Sequence, residues 1–104
     1  MVKWSEKLYI GEHAAKKAEK CQKKIEAGKL VNGFFLITRP SNEQNLFDIL
    51  PAKELMFPYY KQRELFVYGL AKGKDEAESL VVTMLEDVYR ETAGLCCKEY
   101  FEAE

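Results

Sequence analysis

The chain has 104 residues, of which 47% are hydrophobic and 32% charged, and its formal net charge is −1. A chain of this length and composition is one ordinary domain that buries a core without disulfide or metal cross-links, which excludes a disordered protein. The near-zero net charge excludes a bulk attraction to nucleic acid or to a membrane surface.

The charges are distributed unevenly along the chain. Residues 1–29 hold eight Lys and four Glu, a net charge of +4, whereas residues 30–104 hold eight Lys or Arg and thirteen Asp or Glu, a net charge of −5. The first residues lack the apolar run of a signal peptide, and the three cysteines are an odd number that does not form a disulfide framework. We therefore predict a single cytoplasmic domain over residues 1–104, without a membrane partner.

A basic helix is predicted near the start of the chain. Residues 1–11 are expected to be a lead-in segment that docks on the domain, because its apolar residues, Trp4, Leu8, Tyr9 and Ile10, do not suit a free tail. Gly11 argues against a helix that continues unbroken through it. Residues 12–27 then have helical periodicity, with a narrow apolar stripe of small residues around Ile25, and Gly28 ends the helix. The far side of this helix is its lysine face: Lys16, Lys17, Lys20, Lys23 and Lys24.

Three strands are predicted in the middle of the chain, over residues 34–38, 46–50 and 65–70. The first is apolar on both faces, which is typical of a central strand, and a polar loop leads from it to a hairpin partner. Pro51 favours a short helix over residues 52–57, which Pro58 is expected to end.

The last helix has the clearest pattern in the sequence. Asp75 is the predicted N-cap, with Glu78 completing a capping box, and Gly94 ends the helix. Its apolar residues cover nearly 200°, wider than the ~100° that packing against one sheet requires, and Glu76 is expected on the solvent side. Residues 96–104 are expected to be a partly ordered tail.

These elements predict an α+β fold. We expect a three-stranded, mostly antiparallel sheet of order 2-1-3, with the N-terminal and C-terminal helices packed on one face and the short helix between strands 2 and 3.

The segment from Gly69 to Asp75 comes close to a phosphate-binding loop without matching it. Its first spacing is one residue short, and Asp75 stands where the magnesium-binding hydroxyl is required. Carboxylates at the start of the helix also oppose a bound anion. We interpret the segment as a strand-to-helix turn, and we predict no cofactor.

The sequence offers few candidates for catalysis or metal binding. His13 and Cys21 lack ligand spacing, and Cys96 and Cys97 lack the spacing of a redox or zinc pair, so we predict no metal and assign no catalytic residue. Asp48 interrupts an apolar strand and has polar neighbours in adjacent elements: Arg39, Arg63, Tyr59, Tyr60 and Tyr68. If these residues line a concave pocket, a small enzyme site is possible there. The alternatives are a structural Asp–Arg pair or a solvent-facing Asp48.

Three segments, residues 45–51, residues 59–60 and residues 65–77, together resemble a group of short bacterial proteins with no assigned activity. The similarity covers residues 30–95. It implies a bacterial origin, and it implies nothing about catalysis because the group has no assigned activity.

Our leading hypothesis from the sequence is a small interaction or accessory protein that self-associates as a homodimer through the wide apolar face of its last helix. The candidate interface residues are Leu80, Val82, Leu85, Tyr89, Tyr59 and Tyr60. The alternative is a nucleic-acid-binding protein that uses the lysine face, although that face lacks arginines and aromatic residues. The default interpretation of the lysine face is a solvated surface, and a further alternative is that it contacts the acidic last helix of another copy. A small enzyme with its site near Asp48 is the third hypothesis.

Overall fold

The computed structural model describes residues 2–102, which form a mixed four-stranded sheet with helices on both faces. The order of strands across the sheet is β1-β4-β2-β3, with β1 parallel to β4 and the remaining pairs antiparallel. The strand bounds are β1 Val2–Ile10, β2 Phe34–Thr38, β3 Asp48–Pro51 and β4 Leu65–Lys72.

Four α-helices and two 3₁₀ turns connect and cover these strands. A 3₁₀ turn at Ala15–Lys17 leads directly into the first helix, and a second one at Ala52–Met56 precedes the second helix. The helix bounds are α1 Ala18–Glu26, α2 Pro58–Lys61, α3 Lys74–Thr92 and α4 Cys97–Glu102.

The α+β class is confirmed, and the three predicted strands lie in the predicted relative order. The fourth strand was missed: residues 2–10 form the edge strand β1 instead of a lead-in segment. Its pairing with β4 shifts register between Trp4 and Tyr9. This bulge breaks the period-2 alternation of the sequence, so β1 has no clear strand pattern.

The prediction that the helices lie on one face of the sheet is wrong. Neighbouring residues of β2, Leu36 and Ile37, belong to two separate hydrophobic clusters. The first cluster contains the buried side of α1, and the second contains the buried sides of α3 and α4. A strand that is apolar on both faces needs a covering layer on each side.

Residues 97–102 of the predicted tail form α4, and residues 103–104 lie outside the described residues. Phe101 is 2% exposed, and its ring stacks on that of Tyr68 with centroids 4.7 Å apart. The Ser5 hydroxyl donates a hydrogen bond to the Phe101 carbonyl oxygen at 2.6 Å. This helix is therefore part of the core, and it occupies sheet surface beside α3.

The predicted helix ends are partly correct. Gly28 has a φ of +74° just after α1, as expected of a helix stop. The N-cap of α3 is Gly73, with a φ of 83°, instead of Asp75, and Ala93 instead of Gly94 has the left-handed conformation at the C-terminal end. Pro58 begins α2 instead of ending a helix, because its fixed φ suits the first helical turn.

Candidate functional site

A groove of about 470 Å³ lies beside the β2–β3 hairpin, next to α2. We name it the Asp48 groove and define it by six of the residues that line it: Arg39, Asp48, Glu54, Tyr59, Tyr60 and Arg63. Five of these residues were singled out from the sequence. Glu54 was missed because no pattern in the surrounding sequence indicates that its side chain lines a groove. Its volume falls within the range of roughly 300–1,000 Å³ that is typical of ligand-binding pockets.

The antiparallel pairing of β2 and β3 brings two of these residues to one end of the hairpin. Asp48 is paired with Thr38, and Arg39 follows Thr38 directly. The third predicted tyrosine, Tyr68, does not line the groove: its ring is buried against Phe101, and its hydroxyl donates a hydrogen bond to Glu102, the carboxylate that also binds Arg39.

The charge of Arg39 is already compensated from within the protein. Its Nε donates to Glu102 Oε2 at 2.8 Å, its Nη2 donates to Glu102 Oε1, and its guanidinium lies 3.9 Å from the centroid of the Phe66 ring. The hydrogen bonds to Glu102 raise the pKa of Arg39 and, from the other side, lower the pKa of the Glu102 carboxyl. Of the Asp–Arg pairs considered from the sequence, the one between Asp48 and Arg39 does not form, because Glu102 is the partner of Arg39.

The remaining carboxylates of the Asp48 groove have fewer partners. Asp48 Oδ2 accepts one hydrogen bond, from the Ser41 backbone N–H at 2.9 Å. Within residues 2–102, neither Asp48 nor Glu54 forms an ion pair. Burial raises the pKa of Tyr60, and the negative charges of Glu54 and Asp48 raise it further, so both carboxylates act on the Tyr60 hydroxyl.

An aromatic wall completes the Asp48 groove. The rings of Tyr59 and Tyr60 meet edge to face with centroids 4.9 Å apart. Arg63 Nη1 donates to the Tyr59 hydroxyl at 2.7 Å, and its guanidinium carbon lies 4.6 Å from the centroid of the Tyr59 ring. Aromatic faces beside carboxylates favour the binding of a cation that has an apolar stem.

The candidate interface predicted from the sequence does not form one surface. Tyr60 packs against the cluster that contains α1, whereas Leu80 and Leu85 pack against the cluster on the other face of the sheet. Of the α3 residues, Val82 and Tyr89 are 57% and 61% exposed. Most of the wide apolar arc of α3 is therefore used inside the protein, against the sheet and α4.

A second polar cluster joins the carboxyl ends of the parallel strands β1 and β4. The carboxylate of Glu76 accepts hydrogen bonds from three backbone N–H groups: His13 at 2.6 Å, Lys72 at 2.8 Å and Ala14 at 3.1 Å. Its Oε2 also lies 3.0 Å from His13 Nδ1. The Glu76 side chain is only 11% exposed, although the helical pattern had placed it on the solvent side.

The Glu76 carboxylate accepts backbone hydrogen bonds at the edge of the sheet that a phosphate loop would use. Backbone N–H groups at this edge of a sheet are where many α/β proteins hold a phosphate, and here the protein's own carboxylate accepts their hydrogen bonds. Burial alone would raise the pKa of Glu76, but the backbone hydrogen bonds outweigh it and the pKa is lowered. A Cβ atom at Gly11 would lie 2.3 Å from Glu76 Oε1, so this site requires a glycine there.

Comparison with protein-family models, with curated proteins and with solved structures finds no match to this chain. Within residues 2–102, no helix is both long enough and apolar enough to cross a bilayer. The same part of the chain holds no group of three or more His, Cys, Asp or Glu side chains placed to bind a metal ion. The resemblance to short bacterial proteins stays a prediction.

Proposed function

We propose that this protein is a small interaction protein that binds a partner polypeptide at the Asp48 groove and takes up one basic side chain of that partner. The observation that carries the proposal is the pair of carboxylates, Asp48 and Glu54, that lack an ion-pair partner within residues 2–102 and face an aromatic wall.

The balance of charge in the Asp48 groove favours a cationic guest. Arg39 is neutralised by Glu102, and Glu64 at the margin of the groove lies 3.4 Å from Lys3. Besides these paired groups, the lining holds the carboxylates of Asp48 and Glu54 and one guanidinium, that of Arg63, so its negative charges outnumber its positive charges by one. An arginine or lysine side chain supplies the missing cation and can lay its methylene stem on Tyr59 and Tyr60.

The rim of the groove has the composition of a protein-binding surface. Tyr59 is 58% exposed, and two apolar side chains on neighbouring elements, Ile49 and Phe57, are exposed as well. Tyrosine and arginine are enriched among residues that dominate binding energy, and exposed apolar side chains around a polar centre exclude water from it.

A peptide titration followed by two-dimensional NMR tests this proposal. The probe is the capped tripeptide acetyl-Leu-Arg-Leu-amide, and the matched control replaces its arginine by citrulline, which has the same shape without the charge. A charge-assisted hydrogen bond contributes about 1.5–3 kcal/mol, so the arginine peptide should bind at least tenfold more tightly than the citrulline peptide. The amide shifts should be concentrated at Asp48, Glu54 and α2.

Two variants check the assignment of the site. Asp48→Asn removes one carboxylate charge from the groove with little change in shape, and it should weaken binding of the arginine peptide severalfold. Glu86→Gln removes an exposed carboxylate from α3 and should leave the affinity unchanged. Equal affinities for the two peptides, or equal losses in the two variants, would contradict the proposal.

Self-association through α3 has weaker support. The argument from the sequence was a surplus of apolar surface on this helix, and the structure places Leu80 and Leu85 against the hydrophobic cluster beneath it. Val82 and Tyr89 remain as the exposed part of the candidate interface. The homodimer stays a prediction that rests on these two residues.

A further inference from the structure

The two most strongly charged helices lie on opposite faces of the sheet. Residues 15–29, which contain α1, hold six lysines and two glutamates, a net charge of +4. The helix α3 on the other face holds six carboxylates against one lysine and one arginine, a net charge of −4. The net charge of −1 for the whole chain therefore conceals a basic side and an acidic side.

The acidic side is too far away to cancel the basic side in solution. Packed layers lie about 10 Å apart, so the two helix layers are separated by roughly 20 Å across the sheet. At physiological ionic strength the Debye length is about 8 Å. A polyanion that approaches α1 thus experiences the lysines and little of the carboxylates of α3.

Four residues of the lysine face, all except Lys17, line a shallow depression of about 680 Å³. Lys23 lies 3.4 Å from Glu19 on the next turn. Within residues 2–102, the other four lysines of the lysine face form no ion pair, and all five are exposed. The depression is lined by Lys16, Lys20, Lys23, Lys24, Lys29, Glu19 and Ala27.

We infer that the lysine face binds the phosphate backbone of double-stranded DNA without reading its sequence. A membrane surface fits less well, because the apolar side of α1, including Cys21 and Ile25, is buried in the core and has nothing to insert into lipid. A single strand also fits less well, because the face presents no aromatic side chain on which bases can stack. A duplex supplies the closest spacing of phosphates for several lysines at once.

The salt dependence of such binding follows from the number of lysines. Contact with four or five phosphates gives a slope of roughly −4 in a plot of log affinity against log salt. Raising the salt from about 50 mM to about 200 mM should then lower the affinity by a few hundredfold.

Fluorescence anisotropy with a labelled DNA duplex of about 20 base pairs, or two helical turns, tests the inference. The full chain is titrated at several salt concentrations, together with two double variants that carry the same net charge. Lys20→Gln with Lys24→Gln changes the lysine face, and Lys74→Gln with Lys98→Gln changes the other side of the sheet. Lysine and glutamine have similar helix propensities, so both variants should keep the circular dichroism spectrum of the parent.

The lysine-face variant should bind at least tenfold more weakly at low salt, with a salt slope reduced by about two. The control variant should keep the affinity and slope of the parent. No binding of the duplex at low salt, or the same loss in both variants, would overturn the inference. So would tighter binding of the matching single strand, or lysine-dependent binding to phosphatidylserine vesicles without binding to the duplex.

Discussion

Replacing Glu76 by glutamine tests how the two parallel strands are held together at their carboxyl ends. Oε1 accepts hydrogen bonds from the backbone N–H groups of Lys72 and Ala14, and Oε2 accepts one from the backbone N–H of His13. The amide of a glutamine keeps one acceptor oxygen and turns an NH₂ group toward the donors on the other side. At least one charge-assisted hydrogen bond is lost, which costs about 1.5–3 kcal/mol.

For a domain of this size, a loss of about 2 kcal/mol lowers the midpoint of thermal unfolding by roughly 8–16 °C. The matched control is Glu78→Gln on the same turn of α3, because Glu78 is exposed. That variant should lie within about 0.5 kcal/mol of the parent protein. Differential scanning calorimetry at neutral pH measures both. A midpoint for Glu76→Gln equal to that of the control would refute the assignment of Glu76 as a structural cross-link.

The pH dependence of the same variant follows from the lowered pKa of Glu76. A carboxyl group that is more acidic in the folded protein than in the unfolded chain stabilises the fold above its unfolded pKa of about 4.3. This contribution is lost as the pH falls below that value, through the folded pKa. The stability difference between the parent and Glu76→Gln should therefore be constant near neutrality and shrink in acid. A difference that grows as the pH falls below about 4.3 would contradict the reasoning.

Three further predictions concern the core, the tight turn and the candidate interface. Phe101→Ala should destabilise the protein by about 3–5 kcal/mol in urea unfolding, because it empties a buried site on α4, whereas the exposed Lys98→Ala should have little effect. Gly11→Ala should destabilise the protein as strongly as Glu76→Gln, because the new methyl group displaces the same carboxylate. The free energy of unfolding lost in the double variant should therefore be smaller than the sum of the losses in the two single variants. The predicted homodimer buries Tyr89, so Tyr89→Lys should reduce the sedimentation coefficient at micromolar concentration, and a parent protein that sediments as a monomer would contradict the dimer.

The sequence pattern was sufficient to predict that β2, β4 and α3 exist, but it did not predict which helices cover each face of the sheet. The apolar residues of β2 on both faces predicted a central strand, which is confirmed. The same pattern does not state on which face α1 lies after its crossover from β1. That choice is made by packing between residues far apart in the chain, and a single sequence carries no signal for it.

Two elements were missed because their local patterns are short or interrupted. The bulge between Trp4 and Tyr9 divides β1 into two pieces, each too short to show alternation. The helix α4 has six residues, fewer than two turns, and it is fixed by distant partners such as Tyr68 and Ser5. Contacts of this kind become visible only in the folded chain.

The sequence predicted most of the residues that gather at the candidate site, but it did not predict which ion pairs they form. Asp48 was recognised because a charged residue interrupted an apolar strand, and its neighbours in the Asp48 groove followed from adjacency. The partner of Arg39 is Glu102, which lies 63 residues away in a segment expected to be a tail. Glu76 was placed on the solvent side because a helical wheel considers only the residues of one helix. It does not include the loop after β1, whose backbone N–H groups donate to the Glu76 carboxylate.

The binding of a cation by the carboxylates of the Asp48 groove is tested most directly by a thermodynamic cycle. The parent protein and the Asp48→Asn, Glu54→Gln double variant are each titrated with the arginine tripeptide and with its citrulline counterpart. If the carboxylates bind the guanidinium group, the advantage of arginine over citrulline should fall at least tenfold in the variant, a coupling of about 1.4 kcal/mol or more. An arginine advantage that is the same in both proteins would show that the Asp48 groove does not bind the cation.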